Sequence, residues 1–161
     1  MTKTSRSKLR LEHLYDFPGH LIRRAHQVSG ATFDRHLSEF ELTAVQYMAM
    51  MAIGSNPATD ATRLSDMIFF DRATIGGVID RLESKGLVVR TPSLTDRRTK
   101  GLSLSEQGRA LLDKVESRVV KVQDDLLKPL SVTERRQLIA LLKKLVSLHT
   151  EGELAHRDGT N

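Results

Sequence analysis

The chain has 161 residues, 39% hydrophobic and 28% charged, which suits one folded soluble domain, alone or with dimerising extensions, and excludes intrinsic disorder. It has no cysteine, which excludes disulfides, thiol catalysis and thiol-based redox sensing together. Its net charge is +5, and no stretch approaches the roughly 18 apolar residues of a membrane span.

The charge is unevenly placed. Residues 1–15 hold four Lys/Arg against Glu12, and residues 86–100 hold Arg90, Arg97, Arg98 and Lys100 against Asp96, so each stretch carries +3 while the rest sums to −1. Such clustering suits a polyanion, whose counterions are released as phosphates are neutralised. For the basic arm over 1–15, a plain solvated terminus is the other reading. Its sequence, MTKTSRSKLRLEH, lacks the apolar core of a signal peptide, so a cytoplasmic location is expected.

The stretch DFPGHLIRRAHQVSGATFDRHLSEF reads as one long helix, capped by Asp16 or Phe17, with Pro18 in the first turn. Leu21, Ala25, Val28 and Thr32, flanked by Ile22, Ser29 and Phe33, make a wide apolar face. His20, Arg23 and Arg24 share another face. Three potential cations there invite an anion such as a carboxylate ligand, or are ordinary surface or interface ion pairs.

Thr43 and Gln46 form a capping box opening a second helix, expected to bury Val45, Met48, Ala49 and Ala52 and to end near Gly54. NPATD is a turn. Asp60 or a neighbouring threonine then starts a short helix over Ala61–Ile68, with Leu64, Met67 and Ile68 inward, and Phe69-Phe70 turns the chain into the next helix. Two short helices at a tight junction are a helix-turn-helix. All seven aromatics fall within the first 70 residues and four of the five methionines between 48 and 67. Residues of this kind either line a small-molecule pocket or simply form core.

The second helix of the pair is capped by Asp71 and ends at Gly86. Ile75, Val78, Ile79 and Leu82 make its buried stripe, and Arg72, Thr74, Gly76, Gly77, Asp80 and Arg81 its other face. Adjacent glycines inside a helix cost roughly 1 kcal/mol each against alanine. Close approach to a DNA groove would justify that, and so would tight packing on a neighbouring helix. A ribbon follows, Leu87–Thr91 and Leu102–Leu104, with Leu87 and Val89 expected to alternate against Val88 and Arg90. Its basic tip, Asp96–Lys100, is either a charged hairpin or a minor-groove reader, with Asp96 holding Arg98.

Ser105 caps a helix to about Leu127 carrying Leu111, Leu112, Val115, Val119 and Val122. Pro129 ends it, and a Ser131–Glu134 capping box opens a last helix with Leu138, Leu141, Leu142, Leu145 and Val146. Amphipathic helices at both ends of a DNA reader suggest a dimer interface and an inverted-repeat site. The expected fold is mainly α with a small β-ribbon wing. Its parts are a basic arm (1–15), a dimerisation helix (16–41), a winged helix-turn-helix lobe (42–104), C-terminal dimerisation helices (105–149) and a flexible tail (150–161). There is no nucleophile paired with a base, no Gly-rich phosphate loop and no metal-ligand set, so neither an enzyme nor a cofactor is expected.

DRATIGGVIDRLESKGLVVR, TDRRTKGLSLSEQGRALL and TERRQLIALLKKLV resemble the MarR family of winged-helix regulators over about residues 16–149. The resemblance implies a homodimer with intertwined terminal helices, bound to near-palindromic double-stranded DNA and usually repressing. It implies Arg72 and Thr74 near the major groove with Thr62, Ser65, Gly76, Gly77 and Arg81 on the DNA side, Arg98 in the minor groove oriented by Asp96, and Arg97 on phosphate or groove. Family members often release DNA on binding aromatic acids in a crevice that His20, Arg23, Arg24, Tyr47, Met50 and Phe69 would line here. YDFPGHLIRRAHQV is most similar to the NicR/BpsR-like regulators of aromatic and pyridine carboxylate catabolism, which makes 6-hydroxynicotinate the leading effector. The alternative is a winged helix serving as an architectural or protein-interaction module without ligand response.

Overall fold

The helix signals resolve, in a computed structural model describing residues 11–92 and 100–158 (side chains 13–91 and 100–147), into α1 (Leu11–Leu14), α2 (Pro18–Leu37), a 3-10 turn (Ser38–Phe40), α3 (Ala44–Ser55), α4 (Ala61–Ile68), α5 (Arg72–Ser84), strands β1 (Val88–Pro92) and β2 (Lys100–Leu104), α6 (Glu106–Leu127) and α7 (Val132–Asp158). The chain divides inside α6 into two units, residues 1–122 and 123–161.

In the first unit, α2 starts from an extended Phe17 with Pro18 at its first position. Only its C-terminal end is covered, by burial of Thr32, Phe33 and Leu37. Leu21, Ile22 and Val28 stay 52, 48 and 48% exposed, so the described residues leave the first half of the expected stripe about half open. The α3 capping box forms as read, with Thr43 N donating to Gln46 Oε1 (3.1 Å) and Gln46 N to Thr43 Oγ1 (3.3 Å). Its inward face differs from the expectation. Gln46, Ala49, Met50 and Ile53 are buried, while Val45 and Ala52 are only half-buried and Met48 is exposed. AVQYMAMMAI is apolar almost all round, so spacing alone could not choose the phase.

Asp60 and Asp71 cap α4 and α5, accepting from Arg63 N and Thr74 N, both at 2.8 Å. Leu64 and Ser65 are the buried residues of α4, and Met67 is exposed rather than inward. The whole expected stripe of α5, Ile75, Val78, Ile79 and Leu82, is buried. Phe69 supplies the turn between the two helices in the left-handed region, at φ 56° and ψ 45°.

The end of α5 sets the phase of the ribbon. Gly86 sits at φ +70°, its amide bonds Glu83 O (2.8 Å), and Leu87 N reaches back to Leu82 O (2.9 Å). This is a Schellman turn, in which the residue after the glycine packs back on the helix. Leu87 therefore belongs to the cap, and the strand begins one residue later. Val88, paired with Leu104, faces the core, whereas Val89 is 42% exposed, the alternation expected of a half-buried ribbon. β2 also pairs outward along the sheet. Leu102 N donates to Thr59 O (2.7 Å) and Ala58 N to Leu102 O (2.9 Å), so an isolated antiparallel bridge ties the NPATD turn to the ribbon.

One core cluster joins α3, α4, α5 and the ribbon through Met50, Ile53, Leu64, Ile75, Ile79, Leu82, Val88 and Leu102. A second joins Phe33 and Leu37 of α2 to Val115 and Val122 of α6. Ser105 starts α6, accepting from Gly108 N (2.9 Å) and donating to Gly86 O (2.6 Å).

In the second unit, the Ser131–Glu134 box forms, with Ser131 N donating to Glu134 Oε2 at 2.8 Å. α7 then continues to Asp158, where a loose tail from 150 was expected. Leu141, Leu142, Leu145 and Val146 of α7 are exposed.

Candidate DNA interface

The site is built on the outer face of α5. Once the apolar stripe is buried, Arg72, Ala73, Thr74, Asp80 and Arg81 are left in solvent, with Gly76 and Gly77 half-exposed between them. A Cβ placed on Gly76 would meet nothing within 4 Å, and one on Gly77 would meet only the Arg81 guanidinium, at 3.8 and 3.9 Å. Among the described residues no neighbouring helix packs on the pair, so the helix-packing explanation finds no support there. The stretch is a smooth backbone surface able to approach another molecule closely.

Asp71 organises the start of this surface. Its carboxylate takes the Thr74 amide (2.8 Å) and the Thr74 hydroxyl (2.5 Å). Those bonds, the hydroxyl first, hold the Asp71 carboxyl below its ordinary range. The only hydroxyl proton of Thr74 thus points at Asp71, and the groups it can present outward are acceptor lone pairs and a methyl. In a major groove these suit the amino group of cytosine or adenine, or the thymine methyl, and not the acceptor edge of guanine.

Thr62 is exposed at the start of α4. Ser65 departs from the expectation. It is 2% exposed and its hydroxyl donates to Thr62 O at 2.8 Å, so it serves the inside of the lobe and has no outward face. Asp60, Thr62, Gly76, Ile79, Arg90 and Lys100 line an open groove of about 300 Å³ between α4, α5 and the ribbon. Asp96, Arg97 and Arg98 lie outside the described residues.

Sequence reasoning missed what Arg90 does. It was counted among the wing's cations, but its Nη2 lies 2.6 Å from Asp80 Oδ1 and its Nη1 3.1 Å from Glu83 Oε2, both on α5. Gly108 was missed as well. A Cβ there would fall 2.1 Å from the Leu87 carbonyl oxygen, so only glycine lets α6 pass the turn after α5. Neither was visible, because both depend on which segments meet.

The six residues expected around an effector do not converge within one chain. His20, Arg23 and Arg24 lie near the start of α2, with the His20 ring edge-on to Tyr15 at 5.8 Å and Arg24 Nη1 donating to Gln27 Oε1 at 3.1 Å. Tyr47 packs on Phe33 at 6.0 Å. Phe33 is thirteen residues beyond His20 on the same helix, which is about 20 Å of rise. Burial first, and the charge of Glu116 second, push the Tyr47 phenol above its ordinary value. Met50 is fully buried, so a ligand would reach it only by opening the lobe core. Phe69 stands 75% exposed in the corner between α4 and α5. Among the described residues, no group of three His, Asp or Glu could hold a metal, and no helix is long and apolar enough to cross a membrane.

A sequence model of the MarR family matches residues 42–100, the span from Leu42 through the ribbon. The HTH-type transcriptional repressor NicR of Pseudomonas putida is 30% identical over 128 residues, 80% of this chain and 81% of that protein. Two solved structures share the fold. BpsR of Bordetella bronchiseptica, described in terms of regulation of its DNA binding by 6-hydroxynicotinic acid, superposes with a TM-score of 0.78 at 29% identity, covering 81% of this chain and 94% of that one. A mutant of E. coli MarR complexed with operator DNA gives 0.79 at 27% identity, covering 85% of this chain and 99% of that one.

Proposed function

The chain belongs to the MarR family of winged-helix transcriptional regulators, which are not enzymes, and from that membership we propose that it is a dimeric repressor of an inverted-repeat operator, released by a small aromatic or pyridine carboxylate. The observation that carries the DNA part is the outer face of α5, a run of exposed polar side chains around two half-exposed glycines that no other described residue covers. Arg72, Thr74 and Arg81 read or grip the major groove, and Arg97 and Arg98, oriented by Asp96, add contacts from the wing. The apolar stripes left exposed on α2 and α7 support dimerisation, since a second copy is the partner that a two-fold regulator supplies.

The effector part rests on the basic face of α2, where His20, Arg23 and Arg24 offer charge and donors to a carboxylate. The likeness to NicR, and to BpsR with its 6-hydroxynicotinic acid regulation, makes 6-hydroxynicotinate the leading candidate. Release works by population. An effector that favours a separation of the two recognition helices unsuited to the operator draws dimers away from DNA. A hundredfold loss of affinity needs about 2.7 kcal/mol of differential binding, inside the usual allosteric range.

The test is fluorescence anisotropy on the duplex upstream of the protein's own gene, and on sites selected from a random duplex library, with 6-hydroxynicotinate and related acids titrated in. Specific binding reversed by one acid, with the response blunted in Arg23→Ala or Arg24→Ala, is the expected result. Specific binding that no acid disturbs would leave a DNA reader without this effector. Failure to select any site would remove the repressor reading altogether.

A further inference from the structure

Arg90 stands at the base of the wing and faces inward. On β1 it pairs in register with Leu102 of β2, on the sheet face that also carries the buried Val88 and Leu104. Its guanidinium forks across one turn of the recognition helix, to Asp80 (2.6 Å) and to Glu83 (3.1 Å). The planar guanidinium presents donors in a fixed fork, so holding two carboxylates three residues apart restrains rotation as well as distance. The side chain is 31% exposed, against 66% for Asp80 and 41% for Glu83, so the arginine is the most enclosed member of the three. With two carboxylates on one guanidinium, it carries no free positive charge toward a phosphate.

The geometry points to Arg90 as a positioning residue, a clamp that fixes the wing against the recognition helix so that both reach one operator in register. This rests on the DNA reading proposed above. The clamp and a direct phosphate contact make opposite predictions. A phosphate contact adds affinity for every sequence and contributes about one unit to the slope of log affinity against log salt. A clamp contributes nothing to that slope, and its loss is felt where wing and helix must fit together, in discrimination between operator and random duplex.

The experiment uses the full-length protein and a duplex selected from a random library by the wild type. Kd is measured for that duplex and for random duplex across a salt series, for wild type, Arg90→Gln, Asp80→Asn/Glu83→Gln and the triple variant, with far-UV circular dichroism confirming the fold of each. The clamp predicts that discrimination falls about tenfold, or about 1.4 kcal/mol, in both Arg90→Gln and the acid double variant. It does so although the first substitution removes a positive charge and the second removes two negative ones. The triple variant loses no more than either, and the salt slope of Arg90→Gln matches wild type. Retained discrimination in Arg90→Gln with a slope shallower by about one would overturn the clamp and make Arg90 a phosphate contact. A loss in Arg90→Gln that the acid double variant does not share would overturn it too, because the arginine would then act without its acids. If wild type selects no duplex, the DNA reading fails and the clamp with it.

Discussion

Replacing both glycines of the recognition helix separates folding from DNA recognition. Gly76 and Gly77 each cost a helix interior roughly 1 kcal/mol relative to alanine. A Cβ at Gly76 touches nothing within 4 Å, and one at Gly77 reaches only the flexible end of Arg81, at ordinary contact distance. Nothing among the described residues therefore opposes the substitution, and Gly76→Ala/Gly77→Ala should gain about 2 kcal/mol of stability. At about 2–4 °C per kcal/mol for a chain of this size, the melting temperature should rise by about 4–8 °C. If the pair exists to let the helix backbone approach a groove, two added methyl groups stand in the way, and affinity for a selected operator should fall by about 1–3 kcal/mol, the cost of a mismatched base pair. The assay is a thermal melt followed by circular dichroism, paired with anisotropy on the same preparations. A lower melting temperature would refute the open space seen around the pair. A higher one with unchanged operator affinity would refute the groove as the reason for the glycines.

Gly108→Ala should do the reverse, because its Cβ would lie 2.1 Å from Leu87 O. Overpacking of about 1–3 kcal/mol should outweigh the gain in helix propensity and lower the melting temperature, and an unchanged melt would mean that the turn after α5 yields freely. Thr74→Val keeps the side-chain shape and removes the outward acceptor. In a scan of all four bases across the operator, wild type should disfavour guanine at the base facing Thr74 by about 1 kcal/mol, and the variant should flatten that position; the same profile in both proteins would place Thr74 off the base edges. The Asp71 carboxyl is held below its ordinary 3.8 by Thr74, so its contribution to stability is complete above that value and disappears as pH falls through the lower folded value. Asp71→Asn should therefore melt below wild type at neutral pH, with the gap closing in acid, and a gap constant with pH would deny the carboxylate its role.

What was legible in the chain was whatever depends on neighbours in sequence. The caps at Thr43, Asp60, Asp71 and Ser131 form where the residue types put them, because a capping side chain reaches only two or three positions along. The buried stripe of α5 was legible because Ile75, Val78, Ile79 and Leu82 stand alone among polar and small residues. The phase of α3 was not, since apolar residues surround that helix. The first strand starts one residue later than its sequence suggests because the cap after Gly86 takes up Leu87 before the strand begins. Ser65 was misplaced for a related reason, since an outward-compatible serine can equally turn back onto its own helix. On the candidate interface, the polar face of α5 could be read directly, whereas the pairing of Arg90 with Asp80 and Glu83 joins a strand to a helix through a fold that spacing does not reveal.

The recognition helix is held by different means at its two ends. At the C-terminal end, Leu87 N returns to Leu82 O, Ser105 Oγ donates to Gly86 O, Lys85 Nζ donates to Glu41 O, and α6 passes against Leu87 where Gly108 leaves room. Three other parts of the chain therefore meet there, namely β1, α6 and the corner after α2. The N-terminal end carries its own Asp71 cap, follows a turn whose Phe69 stands in solvent with a left-handed backbone, and enters the core through the fully buried Ile75. That end presents Arg72 and Thr74.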